Sequence, residues 1–431
     1  MISKRLVQML GLLLAFALVA AACGGDDSGD TTTTAGGGGT DATTTTAGGD
    51  SAPDDFKIGI ILVGPGNDRG YSQAHLEGAE YAVEQLGLSV EDNLEVFEFA
   101  NTTDTPGLSL PGVAADMVDL GVDLVIFNSD DMRDGAFEAA EQLSDFPMVW
   151  SSGDSAWADG KDYRPDLANL ANIWGQMTFG KMIAGCSAAL TTETGKIAYL
   201  GPLTNDETRR LVNSAFRGAQ YCWENVRGED PADLEFTVTY IGFWFEIPGV
   251  TLDPVLVVND FIDGGADVTL SGIDANVALI RTGQRADAGE DLWAVPYDFV
   301  GACDEAPDIC LGVPYFNWGP AYLEAAQSVI DGNFTADWQW FEPDWADIND
   351  EDSSVVGFFQ GNGLTADNAA SIDAFIAGLA DGSIELFEGP LNWQDGTQWL
   401  AAGEVATDFQ IWYSEQCLQG IEGVCSVNVF G

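Results

Sequence analysis

The sequence predicts an α/β fold in which two doubly wound lobes face each other across a hinge. Short β-branched runs alternate with stretches of helical apolar spacing from residue 56 onward. This alternation restarts after Trp174, so the chain holds two similar series of elements. A length of 431 residues also exceeds one hydrophobic core and suits two or three domains.

The first series predicts one lobe over residues 55–173. Its predicted strands are Phe56–Gly64, Leu94–Ala100, Asp123–Ser129 and Met148–Ser152. Helical spacing of apolar residues covers Gln73–Leu86, 109–120 and 134–144. Buried strands that alternate with helices are typical of a doubly wound parallel sheet.

The second series predicts another lobe over residues 174–317. Its predicted strands are Lys196–Gly201, Phe236–Gly242, Val268–Gly272, Trp293–Tyr297 and Leu311–Phe316. Its predicted helices cover 206–224, 253–263, 275–287 and 320–331. Two such lobes in succession enclose a cleft.

The N-terminus predicts export. A short basic region with Lys4 and Arg5 precedes an apolar run from Met9 to Val19, and residues 20–23 are Ala-Ala-Ala-Cys. The small residues before Cys23 resemble a bacterial lipobox, so we expect a signal peptide over 1–22 and lipid on Cys23; ordinary cleavage is the alternative. Residues 23–54 form a Gly/Thr/Asp-rich tether. The protein is therefore predicted at the outer face of the cytoplasmic membrane, held by lipid only.

The charge excludes some partners. Acidic residues number 69 against 15 basic ones, and the formal net charge is -54. Nucleic acid and anionic membrane surfaces are repelled by such a field, so we expect neither as a partner.

Six cysteines remain after Cys23. An even number in an exported protein predicts disulfides. Short spacings favour Cys303 with Cys310 and Cys417 with Cys425, which leaves Cys186 for Cys222. Zinc is the competing interpretation, but the chain has no CxxC spacing and His75 is its only histidine, so we predict no metal site.

The loops after the predicted strands are the candidate binding site, because ligands of open α/β sheets bind at the carboxyl ends of the strands. Aromatic and acidic residues recur in these loops, and basic residues are rare. The loops are 64–71, 128–131, 242–245, 272–274, 297–298 and 316–319.

Several segments, taken in order, carry a resemblance to a known family. They are KIGIILVGPGNDRGYSQAHLEGAEYAVEQLG, NLANIWGQMTFGKMIAG, TGKIAYLGP, NSAFRGAQ, DGGADV and NWGPAYLEAAQSVIDGNF. The series resembles the basic membrane protein family of ABC-transporter substrate-binding lipoproteins, which includes purine nucleoside and purine base receptors. The resemblance implies the periplasmic-binding-protein type I fold. It also implies that residues 318–431 return to the first lobe.

The resemblance implies site residues as well. The family's Asp-x-x-aromatic motif falls on Asp68 and Tyr71, and the aromatic of its Gly-x-Trp motif falls on Trp244. In the family, such aromatics hold a flat base while a carboxylate binds its N–H groups. Asp298 matches a family carboxylate that helps to hold the ligand.

Each candidate also has a structural interpretation. Asp68 could cap the helix that begins near Tyr71, and Asp130 or Asp131 could cap the next helix or contact ligand. Tyr71 and Trp244 could be core aromatics.

The loop Phe316–Gly319 departs from the nucleoside-binding members of the family. Trp318 could pack at the hinge or touch the ligand, and His75 is favoured as a partly buried structural histidine. Nucleoside receptors generally place a lysine near this loop, which holds no Lys or Arg here. The NWG version resembles a branch associated with free purine bases.

The sequence predicts a binding protein and not an enzyme, because no GxSxG, P-loop or HExxH signature accompanies the carboxylates. We expect a monomer without cofactor that captures a small neutral ligand, a purine base or nucleoside, and delivers it to an ABC permease. A tethered sensor and a receptor for another neutral solute, such as a sugar, remain open alternatives.

Overall fold

The computed structural model of the protein describes residues 52–101 and 104–425. The predicted signal peptide, Cys23 and all but the last residues of the predicted tether lie outside the described residues. Within the described ranges, no helix is both long enough and apolar enough to cross a membrane.

The elements up to residue 191 belong to the first lobe and to the crossover into the second. They are β1 (Ile58–Ile61), α1 (Tyr71–Gln85), α2 (Val90–Asn93), β2 (Leu94–Phe97), α3 (Leu110–Asp119), β3 (Leu124–Phe127), α4 (Arg133–Gln142), β4 (Met148–Trp150), β5 (Leu170–Gly175) and α5 (Met177–Thr191).

The remaining elements build the second lobe and the C-terminal part. They are β6 (Lys196–Gly201), α6 (Asp206–Tyr221), β7 (Glu235–Tyr240), α7 (Pro254–Asp263), β8 (Val268–Ser271), α8 (Val277–Asp287), β9 (Trp293–Val295), β10 (Gly312–Phe316), α9 (Gly319–Ile330), β11 (Trp338–Phe341), β12 (Val356–Gln360), α10 (Ala366–Ala380), β13 (Leu391–Asn392), β14 (Gln398–Leu400), α11 (Asp408–Trp412) and β15 (Ile421–Glu422).

A parallel sheet forms the centre of each lobe. The first lobe has the strand order β11-β5-β4-β3-β1-β2, and the second has β15-β7-β6-β8-β9. All four residues of β3 and of β8 are buried, as expected when helices cover both faces of a parallel sheet. The predicted fold class is confirmed.

The sequence prediction missed β5 and α5. Nearly all residues of α5 are buried, including the polar Thr178, Lys181 and Ser187. A helix that is buried all round shows no polar face, and the helical period is then hard to detect. This helix packs closely against α6 and carries one half of a disulfide.

The C-terminal part divides between the lobes, unlike the predicted return of 318–431 to the first lobe. Helix α9 packs on α1, and β11 joins the first sheet. Strand β12 instead pairs with β10, and β15 pairs with β7 of the second sheet. Ile372 and Phe375 of α10 complete the second-lobe core, so burial of apolar surface explains this placement.

Three disulfides join Cys186 to Cys222, Cys303 to Cys310, and Cys417 to Cys425. The predicted pairing is therefore confirmed in the structure. All six cysteines are buried, and four of them belong to the second-lobe core.

His75 is a buried structural residue of the first lobe, as the sequence predicts. Its Nδ1 shares a hydrogen bond with the Tyr322 hydroxyl, which also bonds to Ser151 at 2.8 Å. The imidazole stacks on Trp318 at 4.1 Å. Burial lowers the pKa of His75 well below its ordinary value, so the folded protein holds a neutral imidazole.

We predict that the buried, neutral His75 lowers the stability of the folded protein in acid. His75 is protonated in the unfolded chain below about pH 6.5 but stays neutral when folded, so unfolding takes up a proton. Its contribution to the unfolding free energy is retained above about pH 6.5 and falls by about 1.4 kcal/mol per pH unit below that value, down to its folded pKa.

Urea unfolding of wild type and His75→Gln between pH 7 and pH 5 measures this effect. The variant is expected to lose less stability than wild type over that interval. Equal losses in the two proteins would contradict the prediction.

Candidate functional site

A cavity lies between the lobes, where strand ends from the two sheets meet. The first lobe supplies Ser129 and Ser152, which follow β3 and β4, and the second supplies Trp244, Asp274 and Asp298, which follow β7, β8 and β9. The space among the lining residues is about 410 Å³ when narrow gaps and open solvent are included, but the room free for a water-sized group is only about 20 Å³. Such placement is expected for a ligand site in an open α/β sheet.

Aromatic rings form much of the cavity wall. Tyr71 and Trp244, both predicted from the sequence, line this one cavity from different lobes. Trp174, Tyr199 and Tyr297 line it as well and were not predicted. Trp174 and Tyr297 belong to segments that the sequence analysis singled out, and their position at strand ends is the signal that could have identified them.

Four carboxyl groups also line the cavity. Asp130 and Asp298 were predicted, whereas Glu207 and Asp274 were not. Burial raises the pKa of Asp130 to about 6, with a smaller contribution from Asp131. Among the residues that line this cavity, none is lysine, arginine or histidine.

Some lining groups are buried and make no hydrogen bond within the described part of the chain. These are both carboxylate oxygens of Asp298 and the indole N–H groups of Trp174 and Trp244. The Tyr297 side chain acts on Asp298 and the Trp244 side chain acts on Asp131, but neither contact has hydrogen-bond geometry. Buried polar groups are normally paired, so these atoms are available to a ligand. The cavity therefore offers acceptors and donors side by side.

Asp68 does not line the cavity, and its contact with a ligand stays a prediction. Its carboxylate accepts the backbone N–H groups of Gly70, Ser72 and Gln73 at 2.9, 2.9 and 3.0 Å. These amides open helix α1, so the alternative of a helix-capping aspartate describes the observed contacts. The structure thus uses Asp68 to fix the backbone just before Tyr71.

Trp318 and Asp131 also lie away from the cavity. Trp318 is completely buried behind it, stacked on Phe316 at 4.7 Å and on His75 at 4.1 Å. Asp131 is exposed and borders an outer cleft that continues from the cavity. Their direct contact with a ligand stays a prediction.

This outer cleft is larger, with about 1610 Å³ of space that opens to solvent. Its basic residues are engaged with the protein. Arg133 pairs with Asp162 at 3.2 Å, and Lys161 pairs with Asp206 at 3.3 Å. The Arg210 guanidinium lies 4.4 Å from the centre of the Trp412 ring.

Glu207 lies in the first turn of α6 and lines both the cavity and the outer cleft. Acidic residues are common at that helical position, so the sequence carried no distinct signal for it. Burial raises the pKa of Glu207 to about 7, and Arg210 opposes the rise. Asp130, which adds to the rise, lines the same space from the other lobe.

The lobes touch at one side of the cavity. The Arg69 guanidinium bonds to Glu305 at 2.6 Å, and Asn276 Nδ2 donates to the Arg69 carbonyl at 3.0 Å. A Cβ at Gly70 would lie 2.0 Å from the Asp274 carbonyl oxygen, so a larger residue there would push the lobes apart. The structure therefore has its lobes closed at this side.

The chain is similar to known proteins in sequence and in fold. A purine-binding protein of Brucella abortus is 25% identical over 358 residues, which cover 83% of this chain and 90% of that protein. The solved ABC-transporter solute-binding protein of Aeropyrum pernix K1 aligns with a TM-score of 0.58 at 13% identity, over 84% of this chain and 100% of its own. The corresponding protein of Conexibacter woesei aligns with a TM-score of 0.53 at 16% identity, over 76% and 97%.

The chain has the periplasmic-binding-protein type I fold. No family model matches the chain. The predicted resemblance to purine receptors is confirmed by the match to the Brucella protein. The prediction of a binding protein in place of an enzyme agrees with these relatives.

We predict that Glu207 limits the stability of this binding-protein fold at high pH. Its folded pKa lies above its ordinary value, so the folded state binds the proton more tightly. The stabilising effect of that proton is complete below about pH 4 and is lost as the pH rises through about 7.

Melting temperatures of wild type, Glu207→Gln and the exposed control Glu224→Gln check this expectation. Glu207→Gln should melt above wild type at pH 8, and the difference should shrink at pH 5. If Glu207→Gln changes the melting temperature by the same amount at pH 5 and pH 8, titration of Glu207 does not explain the change.

Proposed function

We propose that the chain is the solute-binding lipoprotein of an ABC importer, which captures a purine base or nucleoside between its lobes and delivers it to a permease. The observation that supports the ligand class is the cavity itself, where aromatic rings from both lobes meet unpaired carboxylate and indole groups. The name of the Brucella relative, a purine-binding protein, points to the same ligand class.

Tyr71 and Trp244 are the proposed stacking residues, one from each lobe. Stacking of a base on an aromatic ring contributes about 1–3 kcal/mol per base. Asp298 accepts an N–H of the base, and the indole N–H groups donate to its ring nitrogens or oxygen. Because these contacts come from both lobes, the bound ligand favours the closed state.

The charges disfavour an anionic ligand. Carboxyl groups line the inner cavity, and the cations of the outer cleft already have acidic or aromatic partners. The outer cleft, which continues from the inner cavity and opens to solvent, leaves room for a ribose. The free base is the preferred ligand, in line with the absence of Lys and Arg from the Phe316–Gly319 loop.

The lipid on Cys23, the location at the outer face of the cytoplasmic membrane and the monomeric state belong to this proposal. A tethered sensor with the same cavity is the alternative function. Stimulation of the ATPase of a reconstituted permease by the loaded protein distinguishes a transport receptor from a sensor.

Mass spectrometry of small molecules that co-purify with the 54–431 fragment tests the ligand class, followed by calorimetry with purines. A purine in the released fraction is the expected result. A sugar there, together with no heat of binding from any purine base or nucleoside, would overturn the proposal.

We predict that Tyr71→Ala and Trp244→Ala each weaken purine binding about 5- to 150-fold, because each removes one stacking face worth about 1–3 kcal/mol. Tyr71→Phe should keep most of the affinity. Tyr163→Ala is the matched control, since Tyr163 is exposed and does not line the cavity. Unchanged calorimetric affinity in both alanine variants would remove these rings from the site.

We also predict that monophosphates do not bind. A nucleotide would bring about two negative charges beside four carboxyl groups without an Arg or Lys clamp. Competition calorimetry with adenine, adenosine and AMP, repeated in the guanine series, measures the preference. AMP binding as tight as adenosine would refute the charge argument, whereas adenosine far tighter than adenine would shift the preferred ligand to the nucleoside.

A further inference from the structure

The segment 408–418, which we call the C-terminal clasp, runs between the two lobes beside the outer cleft. It comprises α11 and the residues that follow this helix. Trp412 and Tyr413 of the clasp line the outer cleft, yet they are only 6% and 8% exposed. Two large rings that border an open cleft are thus covered by neighbouring residues.

The second lobe holds the backbone of the clasp. Arg210 of α6 donates to the Trp412 carbonyl at 3.2 Å, and the side-chain oxygen of Asn213 accepts the Leu418 N–H at 2.8 Å. Directly after the clasp, β15 pairs with β7 of the second sheet. The clasp backbone is therefore fixed to the second lobe.

The first lobe holds the Tyr413 side chain. Its hydroxyl donates to the carboxylate of the buried Asp154 and accepts the Lys161 backbone N–H at 2.6 Å. The Lys161 Nζ lies 4.0 Å from the centre of the Tyr413 ring, and the Trp157 ring is parallel to that ring at 6.0 Å. All three partners belong to the loop between β4 and β5, so this loop forms a pocket for the tyrosine.

Trp412 lies between the lobes. Its ring packs edge-on against Trp338 and Trp340 of β11 in the first lobe, at 5.3 and 5.2 Å between ring centres. The Arg210 guanidinium of the second lobe lies 4.4 Å from the centre of the same Trp412 ring. Buried aromatic and cation–π contacts of this kind are favourable. Adjacent residues of the clasp are thus bound to both lobes, in addition to the chain crossovers that follow β5, β10 and β11.

Opening of the lobes would separate contacts that the clasp makes together. The backbone after Tyr413 is bonded to α6 and to the second sheet, whereas the Tyr413 hydroxyl is bonded to the first lobe. Movement of the lobes apart would withdraw this hydroxyl from Asp154, which is 4% exposed, and a buried acceptor that loses a donor is costly. The bond between Tyr413 and Asp154 therefore favours the closed lobes, in which Arg69 reaches Glu305.

We infer that Tyr413 is a positioning residue that keeps the lobes closed at the outer cleft, by docking in the first-lobe pocket of Asp154, Trp157 and Lys161, and thereby slows ligand release. Tyr413 does not line the inner cavity, so it acts on the lobes and not on a base bound there. This inference goes beyond the proposed function, because it requires no particular ligand.

Single-molecule fluorescence energy transfer between the lobes tests this inference without a ligand. The dyes are attached to Asp119→Cys and Asp287→Cys, which replace exposed residues at the ends of α3 in the first lobe and α8 in the second. A Cys23→Ser background leaves only the two introduced thiols free, because the other six cysteines form disulfides. Tyr413→Phe is expected to raise the ratio of open to closed molecules about two- to tenfold, since a hydrogen bond between the lobes is lost.

Two further variants assign the effect. Tyr163 is an exposed tyrosine of the loop that forms the pocket, so Tyr163→Phe is the matched control and should keep the wild-type ratio. If Tyr413 acts through Asp154, Tyr413→Phe in an Asp154→Ala background should change the ratio less than about twofold. A Tyr413→Phe ratio equal to that of wild type, or a full effect in the Asp154→Ala background, would overturn the inference.

Thermal unfolding of the same proteins identifies a purely structural role. Phenylalanine keeps the ring that packs parallel to Trp157, so Tyr413→Phe is expected to fold. A packing residue would lower the melting temperature in Tyr413→Phe without changing the ratio of open to closed molecules. That result would also overturn the inference.

Stopped-flow release of adenine separates this inference from the proposed function. The dissociation rate constant of adenine should rise about two- to tenfold in Tyr413→Phe, because the closed state is less populated. Equal rate constants in the variant and wild type would overturn the claim that Tyr413 slows release. No adenine binding by wild type, together with the expected change in energy transfer, would contradict the proposed ligand but support the clasp.

Discussion

Burial of the parallel strands on both faces is the constraint on which the rest of the structure depends. Because helices cover the two sheets, polar side chains have room only at the strand ends. Polar residues that follow the carboxyl ends of β3, β4, β7, β8 and β9 therefore line one shared cavity. The same constraint leaves Lys181 and Asp298 inside the protein, where a charged group without a partner is costly.

The cavity joins two kinds of recognition. Aromatic rings provide a flat apolar surface that stacks on a base in any in-plane orientation. Asp298, Trp174 and Trp244 instead hold buried polar atoms that require hydrogen-bond partners. A ligand that leaves those atoms unpaired would bind weakly, since a buried polar group without a partner costs about 1–3 kcal/mol. Selectivity therefore comes from the polar atoms and affinity largely from the rings.

The chain has a large negative charge, and several of its few basic residues form ion pairs with acidic residues. Arg69 binds Glu305 across the lobes, Lys161 binds Asp206, and Arg164 binds both Glu141 and Asp166. Contacts of this kind at the surface are weak individually. Those of Arg69 and Lys161 join the two lobes, whereas those of Arg164 lie within the first lobe. The inner cavity is thus lined by acidic groups without a basic residue, which disfavours an anionic guest.

Local patterns in the sequence determined the alternating elements, the export signal and the short disulfide loops, because periodicity and spacing depend on neighbouring residues. The family resemblance implied Tyr71, Trp244 and Asp298 as candidates, and position after a strand added Asp130; all four line the cavity. Direct binding by them remains a prediction.

Only the tertiary structure decided the rest. It placed β12 and β15 with the second lobe, turned Asp68 toward the amides of α1, and brought Glu207 into the cavity. Lys181 and Tyr297 are distant in sequence and come into contact because α5 packs against β8 and β9. The physical reason is that burial and charge pairing depend on which surfaces the folded chain brings together, and a local pattern does not contain that information.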